Sequence, residues 1–237
     1  MKYLLLIAIL FSKSLYAGAP PVDDKPIPPP PYTINNVNQL SIGVEWEYAS
    51  LENFLDKSFQ YSTVLTGGIT ILNSKNKDNF SPFSGAYAWI DGKDEESGKH
   101  IIFSTYGPNK LINKIMNRVY NINTTLGSNK VTLINNNASA RTSIRKKNVL
   151  SLSAKMTNEC ESTRGNMKIL NNAKTNSSVN NYLSWSSKKV CKAEVGNINL
   201  NGQLKDIKIK NILWAKTYEN MTIIFTNPLK LANNNIK

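Results

Sequence analysis

His100 is the only histidine in the sequence and the side chain best suited to acid–base chemistry at neutral pH. Asp91 and Asp94 precede it closely and are candidates to orient its ring. Ser84 or Ser104 would then serve as a nucleophile, although neither lies in a Gly-x-Ser-x-Gly motif. Because a lone histidine at the start of a strand is usually an ordinary surface residue, we assign no catalytic residue and keep His100, Asp91 and Asp94 as the only candidates.

Acidic clusters suggest two other kinds of chemistry. Glu45, Glu47 and Glu52 lie close in sequence, so a carboxylate pair of the kind used by glycosidases stays open. The segment 91–96 is rich in oxygen ligands, but its carboxylates do not follow the spacing of a calcium-binding loop. With one histidine and no phosphate-binding glycine motif, the sequence predicts no metal site and no cofactor.

The N-terminal segment 1–17 has the layout of a secretory signal peptide, with one early lysine, an apolar run and small residues before Ala17. The apolar run is too short to span a bilayer, so we expect no transmembrane anchor. We predict that the chain is exported to the periplasm, the cell surface or the medium. A buried N-terminal strand or helix is the alternative interpretation of the same pattern.

Cys160 and Cys191 are the only cysteines, and an even number of cysteines in an exported chain indicates a disulfide. The alternatives are two free thiols or half of a metal site, and a metal site would lack histidine partners. We therefore predict one disulfide between Cys160 and Cys191, which would close a loop of roughly 30 residues.

Residues 18–33 are rich in proline and include an unbroken run from Pro28 to Pro31, which predicts an extended spacer. We predict that residues 34–237 form a single β-rich globular domain. A boundary between two smaller domains near 122–130 is the alternative.

Apolar periodicity predicts the main elements of this domain. Ile42–Tyr48 alternates as a strand with one apolar and one acidic face. Leu51–Tyr61 and Asn109–Tyr120 carry apolar residues at helical spacing, which predicts two short amphipathic helices. Ala86–Ile90 and His100–Tyr106 flank a charged, glycine-bounded loop and are predicted to form a hairpin.

Two glycine-containing pairs predict turns. Gly67-Gly68 interrupts a β-branched segment and indicates a turn or a bulge. Asn201-Gly202 lies between the runs 198–200 and 204–209 and predicts a tight hairpin. Together these patterns predict a mainly β or α+β fold, with antiparallel sheets and two short amphipathic helices.

Charge is distributed unevenly in this chain of formal net charge +13. Residues 18–106 contain 11 acidic and 6 basic side chains, whereas residues 107–237 contain 5 acidic and 21 basic ones. Such asymmetry indicates an acidic partner, although a lysine- and asparagine-rich composition can also reflect an AT-rich genome. The predicted binding residues are all basic: Arg141, Arg145, Lys146, Lys147, Lys208 and Lys210.

These observations favour binding over catalysis. We expect an exported, non-enzymatic binding protein, adhesin-like or part of an envelope assembly, whose basic C-terminal half contacts an acidic partner. The expected partner is lipopolysaccharide, anionic lipid, acidic glycan or an acidic envelope protein, and export argues against nucleic acid. A secreted enzyme or toxin with a site near His100 and the acidic loop is the alternative. A structural pilus or secretion component is a third class.

Overall fold

The computed structural model describes residues 26–55, 59–74, 82–94, 97–170, 179–227 and 229–230. The predicted signal peptide and residues 18–25 of the predicted spacer lie outside the described residues. Residues 26–31 have no regular secondary structure, and the first strand begins at Tyr32, inside the predicted spacer.

Within the described ranges, eleven strands and two α-helices follow one another. The strands are β1 (Tyr32–Trp46), β2 (Thr66–Ser74), β3 (Phe83–Asp91), β4 (Lys99–Pro108), β5 (Thr125–Leu126), β6 (Ser128–Ile134), β7 (Asn137–Ile144), β8 (Lys147–Leu170), β9 (Val179–Leu200), β10 (Ile209–Phe225) and β11 (Leu229–Lys230). The helices are α1 (Tyr48–Leu51) and α2 (Lys110–Arg118), and two 3₁₀ turns lie at Glu52–Phe54 and Gly202–Leu204.

All eleven strands belong to one sheet, which closes on itself as a barrel. The order β9-β10-β1-β2-β3-β4-β8 is continuous, and the pairing of β8 with β9 completes the ring. The contact that joins β4 to β8 is parallel and short, between Lys99 and Ile169 and between His100 and Leu170. Closure gives every strand of the ring a hydrogen-bonded neighbour on both sides.

A second layer packs on the outside of this barrel. The N-terminal half of β8 and the C-terminal half of β9 continue beyond the ring and pair with each other, and β7 and β6 extend this layer. The side chains buried between the layers are almost entirely aliphatic. They include Leu40, Ile42, Val44, Ile69, Ile71, Ala86, Ala88, Val131, Ala140, Leu150 and Leu152.

Alternation along the barrel strands separates two buried surfaces. On β1, Leu40 and Ile42 face the second layer, whereas Gln39 and Ser41 face the interior of the barrel. Both sets are buried, which differs from the predicted strand with one acidic, solvent-facing side. The acidic residues of that prediction occur only at the exposed end of β1, where Glu45 pairs with Lys210.

The first predicted helix differs from the observed structure, and the second is confirmed. The chain is helical from Tyr48 to Leu51 and continues only as a 3₁₀ turn to Phe54, not to Tyr61. Helix α2 begins after Asn109, whose side chain accepts a hydrogen bond from the Leu111 N–H and so caps the helix. Its buried side chains belong to the hydrophobic cluster that also contains Tyr106 and Phe225 of the barrel.

Two predicted turns are corrected. Gly67 and Gly68 lie within the continuous strand β2, paired with Ile90 and Trp89, so no turn occurs there. Around Asn201-Gly202 the chain forms a 3₁₀ turn, and Leu204 and Ile207 are buried beneath it. The flanking runs do not pair with each other, because β9 ends by pairing with β8 and β10 begins by pairing with β1.

The predicted disulfide is confirmed. Cys160 on β8 and Cys191 on β9 are cross-strand partners joined by an S–S bond, with their Cα atoms 4.0 Å apart. The bond lies where the two strands pass from the barrel into the second layer.

The predicted fold class, mainly β or α+β, is confirmed. The sheet is mixed, because β4 pairs in parallel with both β5 and β8. In the described part of the chain, no helix is long and apolar enough to cross a membrane. The division into a spacer and a single globular domain stays a prediction.

Candidate functional site

The interior of the barrel contains a cavity of about 150 Å³. A cavity of this volume in another protein is large enough to bind benzene, so the space here suits a small molecule. Trp214 is the most exposed side chain of the wall (40%), so the wall reaches solvent at this residue. Most of the wall is apolar: Leu72, Ile101, Ile122, Met167, Ile169, Leu183, Met221, Ile223 and Phe225.

A chain of neutral polar side chains crosses the wall on β1, β2 and β3. The Gln39 amide donates to Ser41 Oγ at 2.8 Å, and Ser41 Oγ lies 2.6 Å from Thr70 Oγ1. Tyr87 continues the chain through a side-chain hydrogen bond with Thr70. Since hydroxyl groups both donate and accept, this chain offers a ligand either kind of partner without carrying a charge.

Lys99 supplies the positive charge of the cavity wall. Its ammonium pairs with the carboxylate of Asp91 and lies 5.2 Å from the centroid of the Trp89 ring. Asp91 is itself held by two donors, Trp89 Nε1 at 3.0 Å and Thr66 Oγ1 at 3.1 Å. Among the described residues that line the cavity, Lys99 is the one cationic side chain.

Three tyrosines of the wall are held in their neutral form. Burial raises the pKa of Tyr87 to about 12, against the opposing effect of its hydrogen bond with Thr70. Burial likewise raises the pKa of Tyr218 to about 12 and that of Tyr106 further above its ordinary value. These phenols therefore contribute hydrogen-bonding groups and no charge at physiological pH.

Glycines on the inward faces of the strands allow aromatic rings to lie directly on the backbone. A Cβ atom at Gly68 would lie 2.5 Å from the Trp89 ring, so the ring fits only against a residue without a side chain. The same relation holds for three other pairs: Gly43 with Trp214, Gly85 with Tyr106, and Gly165 with Trp185. The cavity is thus shaped by aromatic residues packed against glycines of neighbouring strands.

Replacement of Gly68 by alanine should destabilise the protein and disturb the cavity. The new Cβ would lie 2.6 Å from the Ile42 carbonyl oxygen as well as against Trp89, so backbone and ring must both move. We expect a loss of about 1 to 3 kcal/mol in the free energy of unfolding, measured by urea denaturation. Gly196→Ala on β9 is the matched control, because the close atom there is the rotatable Ser153 hydroxyl. Equal losses in both variants would contradict the packing described for Trp89.

The structure does not bring the three predicted catalytic candidates together. His100 is buried on the opposite face of β4 from Lys99, with its Nδ1 2.7 Å from Tyr61 Oη and the Phe59 ring in edge contact. Asp94 accepts hydrogen bonds from Ser97 in the β3–β4 loop. Asp91 contacts Lys99 of the cavity wall rather than His100.

The predicted basic binding residues fall into two groups on strands that are not adjacent. Arg141, Arg145, Lys146 and Lys147 lie on the β7–β8 hairpin, with Arg145 and Lys146 forming its two-residue turn. Lys208 and Lys210 lie at the start of β10, 3.8 Å from Glu47 and 2.6 Å from Glu45. Hydrogen bonds from Lys210 and Asn211 lower the pKa of Glu45. The assignment of these six residues as a binding site stays a prediction.

Sequence reasoning missed Lys99 and the neutral polar chain. In the sequence, Lys99 is the last residue of a charged loop. Nothing distinguishes Gln39, Ser41 and Thr70 from ordinary polar positions on strands. One signal was available: Lys99 and Ile101 alternate with His100, so a hairpin that buries His100 on one face places Lys99 on the other. In the described part of the chain, no group of three or more histidine, cysteine, aspartate or glutamate residues could hold a metal ion.

Comparison with solved structures identifies the fold. The chain is similar to acetoacetate decarboxylase from Legionella pneumophila, with a TM-score of 0.69 and 11% identity over 94% of this chain and 95% of that one. It is also similar to the enduracididine biosynthesis enzyme MppR complexed with pyruvate, with a TM-score of 0.68 and 8% identity over 91% and 95% of the two chains.

A third similar structure is an acetoacetate decarboxylase-like enzyme from Sphingomonas wittichii RW1, with a TM-score of 0.53 and 10% identity over 84% and 92% of the chains. No protein-family model matches the sequence. No curated protein sequence matches it either. At these identities the likeness shows a shared fold.

This likeness corrects the predicted function. A non-enzymatic, adhesin-like protein that binds polyanions was predicted, but the fold extends over nearly the full length of known enzymes. The expectation that binding was favoured over catalysis is therefore contradicted. The error arose because function was inferred from charge composition, which does not reveal that the strands of the basic C-terminal half build the barrel wall and the second layer.

Proposed function

We propose that this chain is an enzyme that acts on a small carbonyl compound by forming an imine with the amine of Lys99. The observation that carries the proposal is the position of Lys99, a primary amine on the wall of a small and mostly apolar cavity. Lysine amines form Schiff bases with carbonyl substrates. The printed names of the similar structures support this class, since acetoacetate and pyruvate are both small carbonyl compounds.

The proposed step balances without any added reagent. Nζ of Lys99 attacks the carbonyl carbon, the carbonyl oxygen leaves as water, and a C=N bond replaces the C=O bond. Overall, one ammonium and one carbonyl compound give one iminium and one water molecule. The positive charge stays next to Asp91, which pairs with the ammonium before the reaction and is placed to pair with the iminium after it.

Asp91 and Trp89 position the amine rather than react with the substrate. The two donors to Asp91, Trp89 Nε1 and Thr66 Oγ1, fix the carboxylate at the end of β3. The carboxylate is also a proton acceptor next to an ammonium that must lose a proton before it attacks. Trp89 lies against Lys99 and holds the lysine side chain along the wall.

An iminium withdraws electrons from the neighbouring carbon and so stabilises a carbanion there. This favours reactions that break or form a bond at that carbon, such as proton abstraction or condensation. We place the enzyme outside the cytoplasm on the strength of the predicted signal peptide, and the Cys160–Cys191 disulfide is compatible with an oxidising compartment.

Reductive trapping tests the proposal. Incubation with acetone and sodium cyanoborohydride should add one isopropyl group to the protein, and peptide mapping by mass spectrometry should place it on Lys99. Lys155, an exposed lysine on β8, provides the matched control, because Lys155→Arg should not reduce the labelling. Labelling spread evenly over surface lysines, with none preferred, would contradict the proposal.

A further inference from the structure

The charges around the cavity support an inference about the class of substrate. This inference rests on the proposed imine chemistry. We infer that the barrel interior selects uncharged carbonyl compounds, ketones or aldehydes with an apolar body, and discriminates against the carboxylates of oxo acids. The substrate class would then differ from the anionic compounds, acetoacetate and pyruvate, that the names of the similar structures contain.

Counted together with Asp91, the wall of the cavity carries no net charge. Among the described residues that line it, none is arginine, aspartate or glutamate, and Lys99 is the one cation. That cation is already neutralised by Asp91. Imine formation keeps one positive charge on the same nitrogen, so Asp91 still balances it and no cation becomes available for the substrate.

A carboxylate in this space would lose its water without gaining an ionic partner. Burial of an ionised group is strongly unfavourable unless a counter-charge or several hydrogen bonds replace its hydration. Much of the wall is aliphatic or aromatic, and Leu183, Ile223 and Phe225 in it are each less than one-tenth exposed. An uncharged alkyl or aryl group meets no such cost there.

The neutral polar chain fits a single uncharged polar group on the substrate. Gln39, Ser41 and Thr70 are all buried, and each is already engaged with a neighbour in the chain. A hydroxyl or carbonyl group can join such a chain by reorienting a hydroxyl hydrogen. A carboxylate needs several donors at once, and the bonds within this chain already use one Gln39 N–H and one of the two hydroxyl hydrogens of Ser41 and Thr70.

Parallel trapping reactions with a matched pair of carbonyl compounds test this inference. Pyruvate and methyl pyruvate share the same reactive ketone, but only the first is an anion at neutral pH. The protein is treated with cyanoborohydride and each compound separately, and the labelling rate of Lys99 is divided by that of Nα-acetyl-lysine under the same conditions. We expect the corrected rate for methyl pyruvate to exceed that for pyruvate by at least about ten-fold.

The outcomes separate this inference from the proposed function. Labelling of Lys99 by both compounds at equal corrected rates, or faster labelling by pyruvate, would overturn the inference and leave the imine chemistry standing. Labelling by neither would overturn both. Gln39→Arg supplies a cation to the wall and should reduce the preference for methyl pyruvate, whereas the uncharged, similarly long Gln39→Met should keep it.

Discussion

Replacement of Lys99 by arginine should abolish imine formation while preserving the fold. Arginine keeps the positive charge and its pairing with Asp91, but a guanidinium stays protonated and does not form a Schiff base. We expect cyanoborohydride trapping of acetone at this site to disappear and turnover of any identified substrate to fall by at least about 10³-fold, since removal of a nucleophile has effects of this order. Peptide mapping and steady-state kinetics measure the two effects.

Lys155→Arg is the control for this prediction, because Lys155 is exposed on β8 and does not line the cavity. Unchanged unfolding curves for both variants would show that the loss is chemical rather than structural. If the turnover of the Lys99→Arg variant stays within about ten-fold of the original value, Lys99 is not part of the mechanism.

Removal of the disulfide should have the largest effect on stability. The bond joins residues 31 positions apart in sequence. It links β8 to β9 where the two strands pass from the barrel into the second layer. In the chain-entropy account, a loop of this length contributes about 3 to 4 kcal/mol by restricting the unfolded chain. The double variant Cys160→Ala/Cys191→Ala should lose that amount of unfolding free energy in urea denaturation.

The wild-type protein in excess reductant provides the comparison, since it retains both sulfur atoms but lacks the bond. Its stability should fall to nearly the level of the double variant. A loss below about 1 kcal/mol in both samples would show that the bond does not constrain the unfolded chain as expected.

Local patterns in the sequence were sufficient to predict several elements of the fold. The periodicity of Asn109–Tyr120 predicted α2, and the apolar runs on either side of the charged loop predicted β3 and β4 as a hairpin. The disulfide followed from the cysteine count. Each of these predictions depends on neighbouring residues or on composition, which a single sequence contains.

Closure of the barrel could not be predicted in the same way. It depends on the pairing of Lys99 with Ile169 and of β1 with β10, contacts between residues far apart in the chain. Without closure, inward residues such as Ser41 and Thr70 look like the solvent-facing positions of an open sheet. A turn or a bulge was predicted at Gly68. Its actual role is to leave space for the Trp89 ring, and that role depends on the neighbouring strand.

Oxygen exchange in ¹⁸O-labelled water tests the central claim most directly, because reversible imine formation replaces the oxygen of a ketone and needs no reductant. The protein should accelerate ¹⁸O incorporation into acetone, measured by mass spectrometry, and the Lys99→Arg variant should exchange no faster than buffer. Equal acceleration by the wild-type protein and Lys99→Arg would contradict an imine at Lys99.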